Sequence, residues 1–184
     1  RQDAPGAGRE AVCGGVCLDM SRHMNKVTAF CETDQTVTVE AGMRGPELEA
    51  ALNAAPENFG AKRRYTCGHF PQSFEHSSVG GWVVTRSAGQ NSTYYGKIED
   101  LVLSQEYATP RGPLVTPAYP RSATGPDYNQ ILLGSEGSFG VLTAVTLKVF
   151  RCTPRNTQRF SYLFRSWEEG LEAVRETMQG EFGR

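Results

Sequence analysis

The sequence holds no apolar run approaching the ~18 residues that a membrane-crossing helix needs. Its 19 Lys and Arg stand against 20 Asp and Glu, so it lacks the positive excess of a nucleic-acid binder, and no nucleic-acid partner is expected. Of five cysteines only Cys13 and Cys17 lie close together, and no second Cys or His pair follows at zinc-ligand spacing. No metal site is expected, and the thiols are read as reduced and mostly buried. The first ten residues are polar and rich in Gly and Pro, without the apolar stretch of a secretory signal. A cytoplasmic location is the default that follows, and the sequon Asn91-Ser92-Thr93 is then read as a polar loop. The chain starts at Arg1 rather than Met and is expected to be a piece of something longer.

What is present suits one domain, or one and part of another. Thr36-Val37-Thr38-Val39-Glu40 alternates with period two and predicts a half-buried strand. Gly45-Pro46-Glu47 then opens a helix whose face carries Leu48, Ala51, Leu52 and Ala55 and which Pro56 is expected to end. Leu101–Tyr107 and Pro113–Thr116 predict a hairpin about Thr109–Gly112, and Val141–Phe150 a long strand. Phe160–Phe164 reads as a further strand, and Trp167, Leu171, Val174 and Met178 form a helical stripe. Strands and short helices in this order predict an α+β architecture.

The stretch Cys67–Gln90 is too polar for a core strand and lacks the periodicity of a surface helix. Gly80-Gly81 and the series Gly134, Gly137, Gly140 bare the backbone where no Cβ blocks a close neighbour. Such amides suit phosphate oxygens or the edge of a flat heterocycle, and equally suit tight turns. No Gly-Lys-Ser/Thr follows, and a strand succeeds the G-x-x-G-x-x-G where a dinucleotide fingerprint needs a helix. His69, Glu75, His76 and Arg86 are the ionisable candidates; their bland reading is two loop histidines and a surface Glu75–Arg86 pair. Trp82 and Tyr94-Tyr95 are read as packing, and Lys62-Arg63-Arg64 as a solvated run. No nucleophile elbow is present.

The runs GHFPQSFEHSSVGGWVVTRSAGQNSTYYGKIEDLV, TPRG and ATGPDYNQILLGSEGSFGVLTAVTLKV closely resemble the FAD-binding domain of the alkyldihydroxyacetonephosphate synthases. These are also called alkylglycerone-phosphate synthases and belong to the vanillyl-alcohol-oxidase-type flavoproteins, whose FAD-binding domain is termed PCMH-type. The resemblance spans roughly residues 25–165. It implies FAD as cofactor and three contact segments. Gln72, Ser73, Phe74, Glu75, His76, Ser77 and Ser78 would lie along the isoalloxazine and ribityl portions, with Gln72 standing where the family often has Asp. Thr85, Arg86, Ser87 and Ala88 form the second segment, with Arg86 read as a buried polar group. Glu136, Gly137, Ser138, Phe139, Gly140, Val141 and Leu142 form the third, near the adenosine side.

The family's P-x-G-G-G-T-S pyrophosphate loop has no counterpart in residues 1–20. The resemblance therefore divides the chain into a linker and first strand over 1–24, the second part of the FAD domain over 25–154, and the start of an α+β cap domain over 155–184. It assigns no catalytic residue here. The activity implied for the whole enzyme is exchange of the acyl group of acyl-dihydroxyacetone phosphate for a fatty alcohol, with the cofactor as nucleophile and no net redox change. The full-length protein is expected to form a homodimer, and eukaryotic members of the family are peroxisomal. Two other readings remain open: an FAD-linked oxidase or dehydrogenase of a 2-hydroxy acid such as D-lactate or glycolate, and a non-catalytic partial domain that holds FAD weakly.

Overall fold

Alternation of β-branched and polar residues over Thr36–Glu40 puts Val37 and Val39 on one face of a strand and the threonines on the other. In the computed structural model, which describes residues 15–156 and 158–180, this strand is β2. It pairs antiparallel with β1 (Val27–Cys31) on one side and β6 (Val141–Lys148) on the other. β6 pairs in turn with β4 (Val102–Thr109), and β4 turns tightly into β5 (Gly112–Val115). The result is a five-stranded antiparallel sheet of order β1-β2-β6-β4-β5. The linker expected over the first residues lies largely outside the described ones.

One face of the sheet is covered by short helices. These are α1 (Gly45–Asn53), α2 (Ala55–Phe59), α3 (Val79–Val84), α4 (Ser92–Tyr95), α5 (Ile98–Leu101) and α6 (Tyr128–Leu132). Leu48 and Leu52 of α1, Val79, Trp82 and Val83 of α3, and Ile98 and Leu101 of α5 join Val37, Val39, Tyr107, Val145 and Leu147 in one buried cluster. Each fully buried aliphatic side chain there contributes about 1.5–3 kcal/mol. On the sheet, Thr38 and Thr146 hydrogen-bond through their hydroxyls at 2.9 Å. The layers are those of an α+β fold.

Several expectations change on the way. Pro56 does not end the helical run; it sits in the first turn of α2, where a missing N–H is harmless, and the break falls at Ala54. The strand expected over 141–150 divides into β6 and β7 (Phe150–Arg151), which leaves the large sheet to pair with β3 (Tyr65–Thr66). The sequon residues form α4 rather than a loop. The thiols are not mostly buried: among those described, Cys67 is buried, Cys31 and Cys152 are half-buried and Cys17 is exposed, all unpaired.

The chain divides into two units, Arg1–Cys152 and Thr153–Arg184. In the second, a short 3-10 turn (Pro154–Asn156) precedes α7 (Trp167–Gln179). Ser166 caps α7 by accepting from Glu169 N–H at 3.2 Å, and the Glu169 carboxylate reaches back to Arg165 N–H at 3.2 Å. The strand expected over Phe160–Phe164 does not form: among the described residues it has no ladder partner, which a strand requires.

Candidate functional site

The polar stretch Cys67–Gln90 is organised around α3. Six residues with two adjacent glycines make no stable helix by propensity, so packing holds it. The hydroxyl of Ser78 accepts from Gly81 N–H at 3.2 Å and starts the helix. Gly80 lets the helix touch β2's end: its N–H donates to Ala41 O at 2.8 Å, and a Cβ there would lie 2.7 Å from Ala41 Cβ. Trp82, buried against Phe74 and His69, donates from Nε1 to Ser77 Oγ at 2.7 Å.

The first predicted segment is the turn that leads into α3. Ser73 O accepts from His76 N–H, Ser77 N–H and the Ser77 hydroxyl, each at 2.9 Å, which coils the turn tightly. Ser77 is buried and Phe74 is tucked over Gly45, while Gln72, Glu75 and His76 point to solvent. The expected Glu75–Arg86 pair is absent among the described residues, since Arg86 pairs with Glu99 at 3.2 Å.

The second and third segments meet at the other end of α3. Ser87 N–H donates to Trp82 O at 3.0 Å and Arg86 N–H to Val83 O at 3.3 Å, the double closure of a Schellman turn. Gly134 N–H adds a bond to Val83 O and Glu136 N–H one to Val84 O, both at 3.1 Å. The last carbonyls of the helix are thus shared between its own turn and the incoming loop. Arg86 and Glu136 take left-handed backbone at φ +52° and +46°, and Gly137 follows at +88°. A Cβ on Gly137 would meet nothing within 4 Å, so its backbone faces open space. The N–H groups of Gly137 and Phe139 carry no hydrogen bond among the described residues.

Three site expectations are corrected or sharpened. Arg86 is not buried: its side chain is 41% exposed, because the guanidinium lies over α6 at the surface. His69 is a loop histidine, on the connection between β3 and α3, but a buried one, 1% exposed. Its Nε2 lies 2.7 Å from Ser87 Oγ, its Nδ1 has no partner among the described residues, and burial depresses its pKa to about 4. It is neutral at pH 7, and the tautomer that avoids a buried orphan N–H carries its proton on Nε2. The Ser87 hydroxyl hydrogen is then free to point elsewhere. Finally, most of the glycines serve the protein's own contacts. A Cβ on Gly134 would run into Arg86 Cγ at 2.9 Å, and one on Gly140 into Ala108 O at 2.5 Å.

The eighteen predicted contacts therefore do not converge on one point. Segment one sits at the start of α3 and segments two and three at its end, about 9 Å along the axis. Thr85, Ala88, Ser138, Phe139 and Val141 are exposed around that end. Leu142 lies in the core and has no side chain to offer a ligand.

Sequence reasoning missed a buried polar network on β4. Gln105, fully buried, donates from Nε2 to Asn129 O at 3.0 Å and accepts at Oε1 from Tyr107 OH at 3.1 Å, and Thr116 Oγ1 donates to Asn129 Oδ1 at 2.7 Å. The signal was a glutamine inside an apolar strand. Beside it lies a cleft of about 340 Å³ lined by Glu99, Asp127, Tyr128 and Lys148 among others, and none of the predicted cofactor residues reaches it. Glu49 was missed too. Burial raises its pKa, while Thr66 Oγ1 at 2.8 Å and Cys67 N–H at 2.7 Å donate to its carboxylate and hold the strand that leads to His69.

The open backbone at Gly137, the Ser87 hydroxyl held by His69 Nε2 and the unbonded N–H groups of Gly137 and Phe139 fit a flat, hydrogen-bonding cofactor such as FAD. The chain is 38% identical over 176 residues to an alkyldihydroxyacetonephosphate synthase of Caenorhabditis elegans, covering 95% of this chain and 27% of that protein. It is 36% identical over 183 residues to an uncharacterized FAD-linked oxidoreductase, YgcU, of Escherichia coli K12, covering 95% of this chain and 36% of that one. A solved alkyldihydroxyacetonephosphate synthase structure matches 72% of this chain and 22% of its own at a TM-score of 0.63 and 39% identity. The chain thus spans between about a quarter and a third of the length of these curated relatives. The family model described as an FAD binding domain matches residues 5–117, more than half of the sequence, and the chain belongs to that FAD-binding family.

Proposed function

We propose that this chain holds FAD in an enzyme of the alkylglycerone-phosphate synthase type, which exchanges the acyl group of acyl-dihydroxyacetone phosphate for a fatty alcohol. The observation that carries the reading is the meeting of the Arg86–Ser87 turn with the Gly134–Gly137 loop at the end of α3, where backbone amides and a positioned hydroxyl are left open. The match to a synthase over nearly the whole chain supports the choice of reaction.

FAD, when bound, supplies a nucleophilic ring nitrogen for the exchange with no net redox change. The chain's own residues bind and orient. Ser87, fixed by neutral His69, presents a hydroxyl donor, and Gly137 and Phe139 present N–H groups to ring or phosphate oxygens. The turn Gln72–Ser78 offers Gln72, Glu75 and His76 on its outer side. Acid and base groups come from other parts of the whole protein. The same reading carries a homodimer of the full-length protein.

Titration of the isotope-labelled chain with FAD, followed by amide NMR shifts, tests the binding reading even where affinity is weak. Shifts are expected at 72–78, 85–88 and 134–140. Shifts confined to the cleft between Glu99 and Lys148, or none at millimolar FAD, would overturn it. The likeness to an FAD-linked oxidoreductase, and to a mitochondrial D-lactate dehydrogenase of Arabidopsis thaliana, favours a second reading, oxidation of a 2-hydroxy acid. Anaerobic mixing of the whole protein with D-lactate or glycolate separates the two: the flavin of a synthase stays oxidised, and rapid bleaching would establish the oxidoreductase.

A further inference from the structure

The position after a helix's C-cap in a Schellman turn takes left-handed backbone and is usually Gly, sometimes Asn, because a Cβ there crowds the following carbonyl oxygen. In α3 that position is Arg86, at φ +52°. Arg86 bears that strain, and its side chain makes contacts a glycine could not.

Its contacts say what. The stem lies on Gly134, whose missing Cβ would fall 2.9 Å from Arg86 Cγ. The guanidinium donates from Nε to Leu133 O at 3.2 Å and from Nη2 to Gln130 O at 2.8 Å and Gln130 Oε1 at 3.1 Å. Those are carbonyls at the C-terminal end of α6, where a cation complements both the helix dipole and its unsatisfied acceptors. Nη1 reaches Glu99 Oε2 at 3.2 Å, and Lys97 Nζ shares that carboxylate at 2.7 Å. Four of the fork's five donors thus go to protein acceptors on two neighbouring elements. One residue later the chain makes the bonds Gly134 N–H to Val83 O and Glu136 N–H to Val84 O, and then opens at Gly137.

We propose that Arg86 is a positioning residue that clamps the C-terminal end of α6 to the end of α3 and so sets the Gly134–Gly137 loop, without itself touching the cofactor. The proposal rests on the reading that this loop holds FAD. It reassigns one predicted contact from ligand to framework, and makes Gly134 a second half of the same device, because any side chain there would displace the arginine stem.

Arg86→Gly is the informative variant, since it relaxes the left-handed backbone and removes only the side chain. In the chain without FAD, hydrogen exchange at the Gly134 and Glu136 amides is expected to quicken about tenfold or more, as the charged fork that holds the loop is lost, while Val37, Val39 and Val145 amides keep their rates. With FAD, the dissociation constant is expected to rise on the order of tenfold with its dependence on ionic strength unchanged. Arg86→Lys should restore little, because one ammonium cannot span the Gln130 and Leu133 carbonyls as the planar fork does. Unchanged exchange at Gly134 and Glu136 in Arg86→Gly overturns the proposal, as does exchange that quickens equally in the sheet. A flattened salt dependence overturns it in favour of direct phosphate contact, and full rescue by lysine in favour of charge alone. If FAD moves no amide of the unaltered chain, the binding reading fails by itself, and the exchange rates measured without FAD still decide for or against the clamp.

Discussion

The two units of the chain carry the same kind of apolar patterning and treat it in opposite ways. In Arg1–Cys152 the alternating valines of β2 and the spaced leucines of α1 are fully buried. In Thr153–Arg184 the stripe Trp167, Leu171, Val174, Met178 is equally regular, and every member is more than half exposed. The two tryptophans show the contrast at one residue type, Trp82 at 2% exposure and Trp167 at 79%. Periodicity in a sequence thus specifies an element and its face, while burial depends on what the fold sets opposite that face.

The largest expected effect tests this contrast directly. Trp82→Ala removes an indole packed on Phe74 and His69 and the donor to Ser77, and is expected to destabilise the first unit by about 3–5 kcal/mol. Trp167→Ala is expected to change stability by less than about 0.5 kcal/mol. Urea unfolding followed by far-UV circular dichroism reads both, and the remaining tryptophan in each variant reports its own environment by emission wavelength. Equal losses in the two variants would break the contrast.

What was legible in the sequence follows the same division. The period-two runs of β2 and β6 were readable because local pattern and final environment agree there, and the stripe of α7 because helical spacing sets the element whatever faces it. The strand expected over Phe160–Phe164 was not, because a strand exists only through a partner and pattern alone cannot supply one. At the site, the sequence offered three segments as long motifs, yet how the residues inside them are placed was not legible. Arg86 looked like a ligand contact, and only three-dimensional geometry shows its fork on Gln130 and Leu133. His69 was legible as a loop residue, but its burial was not, because it comes from Trp82 and from Ser87, eighteen positions away in sequence.

A buried neutral base also marks the first unit by its pH response. His69 has its pKa lowered by burial from 6.5 to about 4, so between these values the unfolded chain binds a proton that the folded one refuses. Its contribution is fully present above pH 6.5 and is lost as pH falls toward 4, amounting to about 3 kcal/mol at most. Glu49, whose pKa burial raises, acts in the opposite direction: its folded form is relieved as acid protonates it. Total stability therefore mixes the two, and the difference between the wild-type chain and His69→Gln isolates one. That difference in unfolding free energy is expected to narrow or change sign steadily from pH 6.5 to 4. A difference constant over this range would mean that the histidine is charged in the folded state.

The smallest effects sharpen the contrast through glycines, with opposite signs expected in the two units. Gly80 sits where α3 meets the end of β2, and a Cβ would lie 2.7 Å from both Ala41 Cβ and Ala41 O. Neither neighbour is the end of a flexible side chain, so Gly80→Ala must push helix from strand and is expected to cost about 1–3 kcal/mol. Gly170 lies inside α7, and the nearest atoms to an added Cβ belong to Phe164, from 3.3 Å, a half-exposed side chain able to turn aside. Gly170→Ala is expected to favour the helix by about 0.5–1 kcal/mol, since alanine loses less backbone entropy on ordering. Chemical denaturation reads the first and helical circular dichroism the second. A destabilising Gly170→Ala would mean that the α7 surface is covered after all, by something that leaves no room for a methyl group.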